Sequence, residues 1–319
     1  MKAALINQYG GTEVFKYGEV EKPQFSPEQI LVKVHFSSVN PIDWKIRQGM
    51  LKIITGNKFP MILGFDLAGE VVEIGSNVTR FKVGDAVFAA LDGTIGRSYA
   101  EYVAISEKIV AGKPKNMSYE EAAAVPLAAM TALQVLRDKG QLKPGQTVLI
   151  NGASGGVGIF AVQIAKALGA GQVTGVCSGK NSELVKSLGA DRVIDYKQQN
   201  FLEESIKYDI IFDVVGNLSF SDCKKVLPPN GIYITTQPFP ANLLQSFITS
   251  LLPGPKYKII MVQPSGSDLA YLKEQIEQGK IRAVIDRVYP LSEIAAAHAY
   301  SATGRATGKV VIKLEEVSM

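Results

Sequence analysis

The chain has 319 residues, 46% of them hydrophobic and 20% charged, with 34 Lys and Arg against 30 Asp and Glu for a net charge of +4. That length suits about two domains, the composition excludes disorder and collagen-like repetition, and the small, evenly spread charge gives no nucleic-acid footprint. Two cysteines (Cys177, Cys223) and two histidines (His35, His298) stand far apart, so neither a structural zinc site nor a disulfide framework is expected, and a reducing, cytoplasmic compartment fits.

The start, Met1-Lys2-Ala3-Ala4-Leu5-Ile6, runs straight into a strand pattern without a leader-like segment. Up to about residue 120 short strands alternate with turns. Ile30-Leu31-Val32-Lys33-Val34-His35-Phe36, Gly69-Glu70-Val71-Val72-Glu73-Ile74-Gly75 and Asp85-Ala86-Val87-Phe88-Ala89-Ala90 are the clearest. Such a series predicts an antiparallel, barrel-like domain. After residue 120 the period changes. Residues 119–139 carry a helical stripe, and Thr147-Val148-Leu149-Ile150 reads as a strand buried on both faces. A helix over about 156–168 follows, then the strand Val173-Thr174-Gly175-Val176-Cys177, and strand–helix alternation continues to Ile232-Tyr233-Ile234. That alternation predicts a parallel sheet with right-handed crossovers.

No apolar stretch reaches the ~18 residues needed to span a membrane. Residues 241–252, closed by Pro253-Gly254-Pro255, read as a buried or interface helix. From about 264 the tail offers a helix over 268–277, a strand near Val284, a helix near Ala295 and the closing strand Val310-Val311-Ile312. It is too short to fold alone, and the simplest layout returns it to the first domain.

Gly152-Ala153-Ser154-Gly155-Gly156-Val157-Gly158 lies between a buried strand and a helix. Glycines there let backbone N–H groups approach a pyrophosphate, and the helix N-terminus adds partial positive charge. The spacing is not a strict Gly-x-Gly-x-x-Gly, but the strand–turn–helix–strand context is what a dinucleotide site requires. An NAD site usually carries Asp or Glu at the end of the second strand, to hold the ribose 2′-hydroxyl. Here that stretch is Ser178-Gly179-Lys180-Asn181, and the first carboxylate after the glycine motif is Glu183. A hydroxyl, an ammonium and an amide replace the acid, which favours NADPH.

Gly64-Phe65-Asp66-Leu67-Ala68-Gly69-Glu70-Val71, Val83-Gly84-Asp85-Ala86-Val87 and Ser98-Tyr99-Ala100-Glu101-Tyr102, in that order with the glycine turn, resemble the medium-chain dehydrogenase/reductase superfamily. Val39-Asn40-Pro41-Ile42-Asp43, Asp195-Tyr196 and Gly308-Lys309-Val310-Val311-Ile312 resemble its zinc-free quinone oxidoreductase branch, most nearly the group that contains the chloroplast-envelope quinone oxidoreductase homologue and the alkenal reductases. The resemblance covers nearly the whole chain. It implies an α/β architecture: a GroES-like, β-barrel-type catalytic domain over 1–122 and 264–319, and a Rossmann NADP-binding domain, a doubly wound parallel sheet, over 123–263. Zinc-dependent relatives carry Cys where this chain has Asp43 and His where it has Phe65, and their third ligand falls near residues 126–128, where there is none. The resemblance also implies cofactor contacts from Ser154, Gly155, Gly156 and Val157 to the pyrophosphate. Ser178, Lys180 and Tyr196 would meet the 2′-phosphate, with Gly179 and Asn181 as cofactor contacts in the same stretch. Lys45, Thr131, Val215, Thr235, Gly304 and Arg305 would complete the set. Relatives nearer to zeta-crystallin often have Tyr where this chain has Lys45, so their substrate details do not carry over. A homodimer through the sheet edge Lys258-Ile259-Ile260-Met261-Val262 is a further implication.

Without zinc, alcohol dehydrogenation is poorly supported, because nothing stabilises the alkoxide. A quinone or an α,β-unsaturated carbonyl needs less help, since added charge delocalises and a few preorganised donors suffice. Lys45 and Asn40 are the candidates for those donors. Asn40 serves equally well as a turn cap, Asp43 as an N-cap or as an orienting partner of Lys45, and Trp44 as core or as a site wall. His35 and His298 read as packed or surface residues. Two other functions stay open: reduction of a thioester-linked or substituted acrylate double bond, and a non-catalytic NADPH-binding protein.

Overall fold

A computed structural model describes residues 1–314 and falls into two units, Met1–Met130 together with the chain from Gln263 onward, and Thr131–Val262. In the first unit, β1 (Lys2–Ile6), β2 (Phe15–Glu19), β3 (Gln29–Val39), β4 (Met61–Ile62), β5 (Asp66–Ile74), β6 (Ala86–Ala90), β7 (Tyr102–Ser106) and β8 (Val110–Gly112) follow one another. β1 lies between β2 and β4 in a small sheet. β3 organises the larger one. It is 11 residues long, pairs antiparallel with β5 along its length and with β7 over Gln29–Lys33, and its register shifts between Leu31/Val32 and Val34/Phe36. Such irregularities bend a strand and let it change partners, which curls a sheet towards a barrel. Val32, Leu67, Val87 and Ile105 fill the core beneath it.

The second unit is a six-stranded parallel sheet of β9 (Thr147–Asn151), β10 (Gln172–Cys177), β11 (Arg192–Asp195), β12 (Ile210–Asp213), β13 (Ile232–Thr235) and β14 (Lys256–Ile259), in the order β11-β10-β9-β12-β13-β14. Chain direction across the sheet reverses between β9 and β12. Ligands of open α/β sheets bind outside the carboxyl ends of the strands at such a switch point. The interiors of these strands, Val148-Leu149-Ile150 and Ile211-Phe212 among them, are fully buried, as the continuous apolar runs predict.

The last described strands, β15 (Ile285–Pro290) and β16 (Lys309–Lys313), extend the larger sheet of the first unit. β16 pairs antiparallel with Phe36–Val39 of β3 and parallel with β15. Val310 and Ile312 join the same core as Val32 and Leu67.

Three local expectations change. The stripe over 119–139 is not one helix. Ser118 caps a short helix, Tyr119–Ala123, by accepting from the Glu121 N–H at 3.1 Å, and a second helix, Pro126–Gln134, starts at the proline, whose missing N–H suits a first turn and not an interior. The helix after the glycine turn begins at Gly158, later than the sequence pattern suggests. The helix Pro240–Leu251 is not buried: none of its residues is, and Leu243, Leu244, Phe247 and Leu251 are exposed. It is held to β14 by polar contacts, the Tyr257 N–H donating to Thr249 Oγ1 at 3.0 Å and Lys256 Nζ to the Thr249 carbonyl at 2.9 Å.

Candidate active site

The residues expected to hold a cofactor in the second unit come from turns at the carboxyl ends of β9 to β13. After β9 the chain turns through Gly152, whose φ of +88° favours glycine. The N–H groups of Gly152 and Ala153 both donate to the Val176 carbonyl of β10 at 3.0 Å. The helix Gly158–Ala167 then starts against the strand. A Cβ on Gly158 would stand 2.0 Å from the Gly152 carbonyl oxygen, so only glycine lets helix and strand approach this closely. The result is a turn over 154–157, with Gly155 and Gly156 at its middle, in front of a helix N-terminus. It fits a pyrophosphate.

Ser154 is tied to the next turn, its Oγ accepting from Asn181 Nδ2 at 3.0 Å. Ser178, Gly179, Lys180 and Asn181 follow directly on β10, with Gly179 and Lys180 exposed. Tyr196 leaves β11 beside them, its N–H donating to the Cys177 carbonyl at 3.2 Å and its side chain 59% exposed. Val215, after β12, is half exposed, and a Cβ on Gly152 would meet its Cγ2 at 2.8 Å. Thr235 ends β13 fully buried, with no partner for its hydroxyl among the described residues. Thr131 is nearly buried on the helix Pro126–Gln134.

Asp213, a residue the sequence reading did not single out, organises this end of the sheet. Its Oδ1 accepts from Asn151 Nδ2 and the Gly216 N–H, each at 2.8 Å, and its Oδ2 from the Tyr233 hydroxyl at 2.7 Å and the Leu218 N–H at 3.0 Å. Burial, with the Asp213 charge beside it, holds the Tyr233 hydroxyl far above its ordinary pKa.

In the first unit Asn40 lies just before one helix, Pro41–Arg47, and Lys45 within it. Proline at its first position and Asp43 in its first turn explain why it starts there. The Asp43 carboxylate accepts from the Asn40 N–H at 2.7 Å and the Tyr99 hydroxyl at 3.0 Å. It is fully buried, and burial pushes its pKa from 3.8 up to about 7 against those two hydrogen bonds. Asp43 is therefore a helix-starting residue and not the orienting partner of Lys45. Lys45 is half-buried, its Nζ 5.6 Å from the centre of the Trp44 ring, and burial lowers its pKa.

Asn40 is held at both ends of its amide. Its Nδ2 donates to Asp66 Oδ2 at 2.7 Å and its Oδ1 accepts from Lys309 Nζ at 2.6 Å. Asp66 also accepts from Ser38 Oγ at 2.5 Å, from the Leu127 N–H at 2.7 Å and from Lys309 Nζ at 3.3 Å. All of these side chains are buried. An amide bonded in this way positions the chain around the ion pair. The signal for the network was present in the sequence: Asp66 and Lys309 are charges set against apolar strand residues, an arrangement that needs a partner.

His298 is fully buried, its Nε2 3.2 Å from the Tyr99 hydroxyl, and burial, with Arg47 nearby, lowers its pKa to about 3, so it is packed and neutral. Gly304 and Arg305 form an exposed turn after the helix Ile294–Ala302, with Gly304 at φ +67°. The positions where zinc-dependent relatives have Cys and His hold Asp43, whose Oδ2 is already engaged, and a buried Phe65. Among the described residues no group of three or more His, Cys, Asp or Glu is able to hold a metal ion. This donor set does not fit zinc.

Residues 26–115 match the alcohol dehydrogenase GroES-like domain and residues 188–312 the zinc-binding dehydrogenase family. The chain is 37% identical to the chloroplast envelope quinone oxidoreductase homologue of Arabidopsis thaliana, over 98% of each chain. It is also 37% identical to an NADPH-dependent alkenal/one oxidoreductase of the same plant, over 98% of this chain and 79% of the relative. Among solved structures, a quinone oxidoreductase from Coxiella burnetii superposes with a TM-score of 0.89 at 33% identity, over 99% of both chains. With relatives this similar along its whole length, the chain belongs to the quinone oxidoreductase-like branch of the medium-chain dehydrogenase/reductase superfamily.

Proposed function

We propose that this protein is an NADPH-dependent oxidoreductase that transfers hydride to a quinone or an α,β-unsaturated carbonyl without help from a metal ion. The observation that carries the reading is the cluster of Ser154, Ser178, Lys180 and Asn181 on the first two turns of the parallel sheet, beside Tyr196. A serine pair, an ammonium and an amide suit a phosphorylated ribose, because a charge-assisted hydrogen bond contributes roughly 1.5–3 kcal/mol. Names borne by the relatives, quinone oxidoreductase and alkenal/one oxidoreductase, support the acceptor class.

When bound, the reduced nicotinamide supplies a hydride. Delivered to a conjugated carbon, it leaves the negative charge on the carbonyl oxygen of the acceptor, where one well-placed donor is worth roughly 2.7–4 kcal/mol. Lys45 takes that role. Its partial burial weakens its hold on the proton, which makes it a better donor to the oxygen as charge develops. The Pro41–Arg47 helix fixes its direction, and the Asp66–Lys309–Asn40 network fixes the residue at which that helix begins.

The test is NADPH consumption with a small panel of quinones and enones. Turnover is expected with at least one class, and Lys45→Ala is expected to lower kcat by roughly a hundredfold while NADPH still binds. Binding without turnover on any acceptor would leave a cofactor-binding protein instead. The same reading takes the chain as a cytoplasmic homodimer joined along the β14 edge, next to the exposed Leu243, Leu244 and Phe247. Its two cysteines are buried and free, which suits a reducing compartment. Light scattering at working concentration decides the oligomeric state.

A further inference from the structure

The turn after β10 has no acid of its own, yet the structure brings one to it. Asp195 ends β11, and the parallel pairing sets it directly beside Cys177, the last residue of β10. The chain from Cys177 through Ser178 to Gly179 then passes across the carboxylate. A Cβ on Gly179 would stand 2.5 Å from Asp195 Oδ2. Gly179 is not in the left-handed region, so its missing side chain serves close approach and not backbone freedom. Asp195 Oδ1 is engaged, accepting the Lys197 N–H at 3.0 Å, whereas Oδ2 has no donor among the described residues. A half-buried carboxylate thus keeps one acceptor oxygen open, facing the segment between Ser178 and Lys180.

We infer that Asp195 is a specificity-determining residue that lets one site take both phosphorylated and unphosphorylated nicotinamide cofactors. This rests on the dinucleotide reading of the 152–181 region. A ribose 2′-hydroxyl is a donor and suits the open Oδ2. A 2′-phosphate is drawn in by Lys180, Ser178 and Asn181 and opposed by the Asp195 charge. The two effects act on the same few ångströms of ribose, so the preference for NADPH is modest in the native chain and is set by their balance. The usual acid of NAD sites stands at the end of the second strand. Here the neighbouring strand supplies it 18 residues further along, which is why a search of the residues after β10 finds none.

The experiment is a fluorescence titration of the full chain with NADPH and with NADH, in the wild type, Asp195→Asn and Asp195→Ser. Both variants are expected to bind NADPH more tightly and NADH more weakly, moving the affinity ratio by roughly tenfold or more. Lys180→Ala is expected to move the ratio the opposite way. If a folded variant, verified by its circular dichroism, weakens both cofactors equally or leaves the ratio within about twofold of wild type, Asp195 is structural and the inference is wrong. Should Asp195→Asn fail to fold, Asp195→Ser carries the same test with a smaller side chain. Failure of the wild type to bind either cofactor would overturn the dinucleotide reading itself, a result distinct from an unmoved ratio.

Discussion

Two polar clusters do opposite things in this chain. In the first unit Ser38, Asn40, Asp66 and Lys309 are buried and spend their hydrogen bonds on one another. In the second, Lys180 and Tyr196 stand exposed around a glycine turn, and Asp195 leaves an oxygen open. Charged and polar residue types mark both. Commitment separates them: a group whose hydrogen-bonding capacity is used inside the fold holds geometry, and a group with capacity left over is available to a ligand. Asn40 belongs to the first kind through its bonds to Asp66 and Lys309.

The contrast breaks most sharply at the glycine turn. Gly158→Val puts atoms where the Gly152 carbonyl already stands, 2.0 Å from the Cβ position. Neither neighbour is a flexible side-chain end, so helix and strand must separate. The expected result is loss of measurable NADPH binding and a lower Tm, since overpacking of this sort costs on the order of 1–3 kcal/mol or more. Retained affinity would mean that the turn is not where the cofactor docks.

Lys309→Met tests the committed cluster. It leaves Asp66 buried without its cation, and breaking one side of such a pair costs about 3–5 kcal/mol. Lower stability in urea is expected, with NADPH affinity held within about twofold. Pairing it with Asp66→Asn should recover much of the loss, because the stranded charge is then gone. If the double variant is as unstable as the sum of its parts, the pair is not coupled as the distances imply.

Asp43 sharpens the comparison through pH. Its pKa is raised in the folded chain, from 3.8 to about 7, so the folded form holds its proton more tightly than the unfolded form does. The stability this confers is complete below about pH 4 and is lost as pH rises through 7, at roughly 1.4 kcal/mol for each unit crossed. Asp43→Asn should remove that slope, flattening stability between pH 4 and 7 relative to the wild type. An unchanged slope in the variant would assign the titration elsewhere.

Much of this was legible in the sequence, and the parts that were not have a physical cause. Alternation and continuous apolar runs disclosed both sheets, because burial on one face or two leaves a period in the sequence. The break at Pro126 is legible too, because a proline interrupts the apolar stripe there. Pairings across the fold leave no such trace. Asp66 and Lys309 are 243 residues apart, and Asp195 reaches Gly179 only through the pairing of two strands. The absence of an acid near Lys180 in the sequence is what suggests a phosphate partner for it. The sequence is blind to an acid arriving from the side.

Lys180 carries the smallest of these effects and the one most specific to the open cluster. Its ammonium is exposed on the turn after β10 and makes no ion pair or hydrogen bond with the described chain. Removing it therefore costs the fold little, and surface substitutions of this kind usually change stability by less than about 0.5 kcal/mol. Lys180→Ala should leave Tm nearly unchanged while weakening NADPH roughly tenfold more than NADH, the value of one charge-assisted contact to a phosphate. High salt should shrink the difference, because an exposed charge is screened within about 10 Å at 0.1 M. Equal loss for both cofactors would show that the lysine reads something common to them, the pyrophosphate or the adenine. The selectivity would then have to come from Ser178, Asn181 or Tyr196, the remaining donors at the same strand ends.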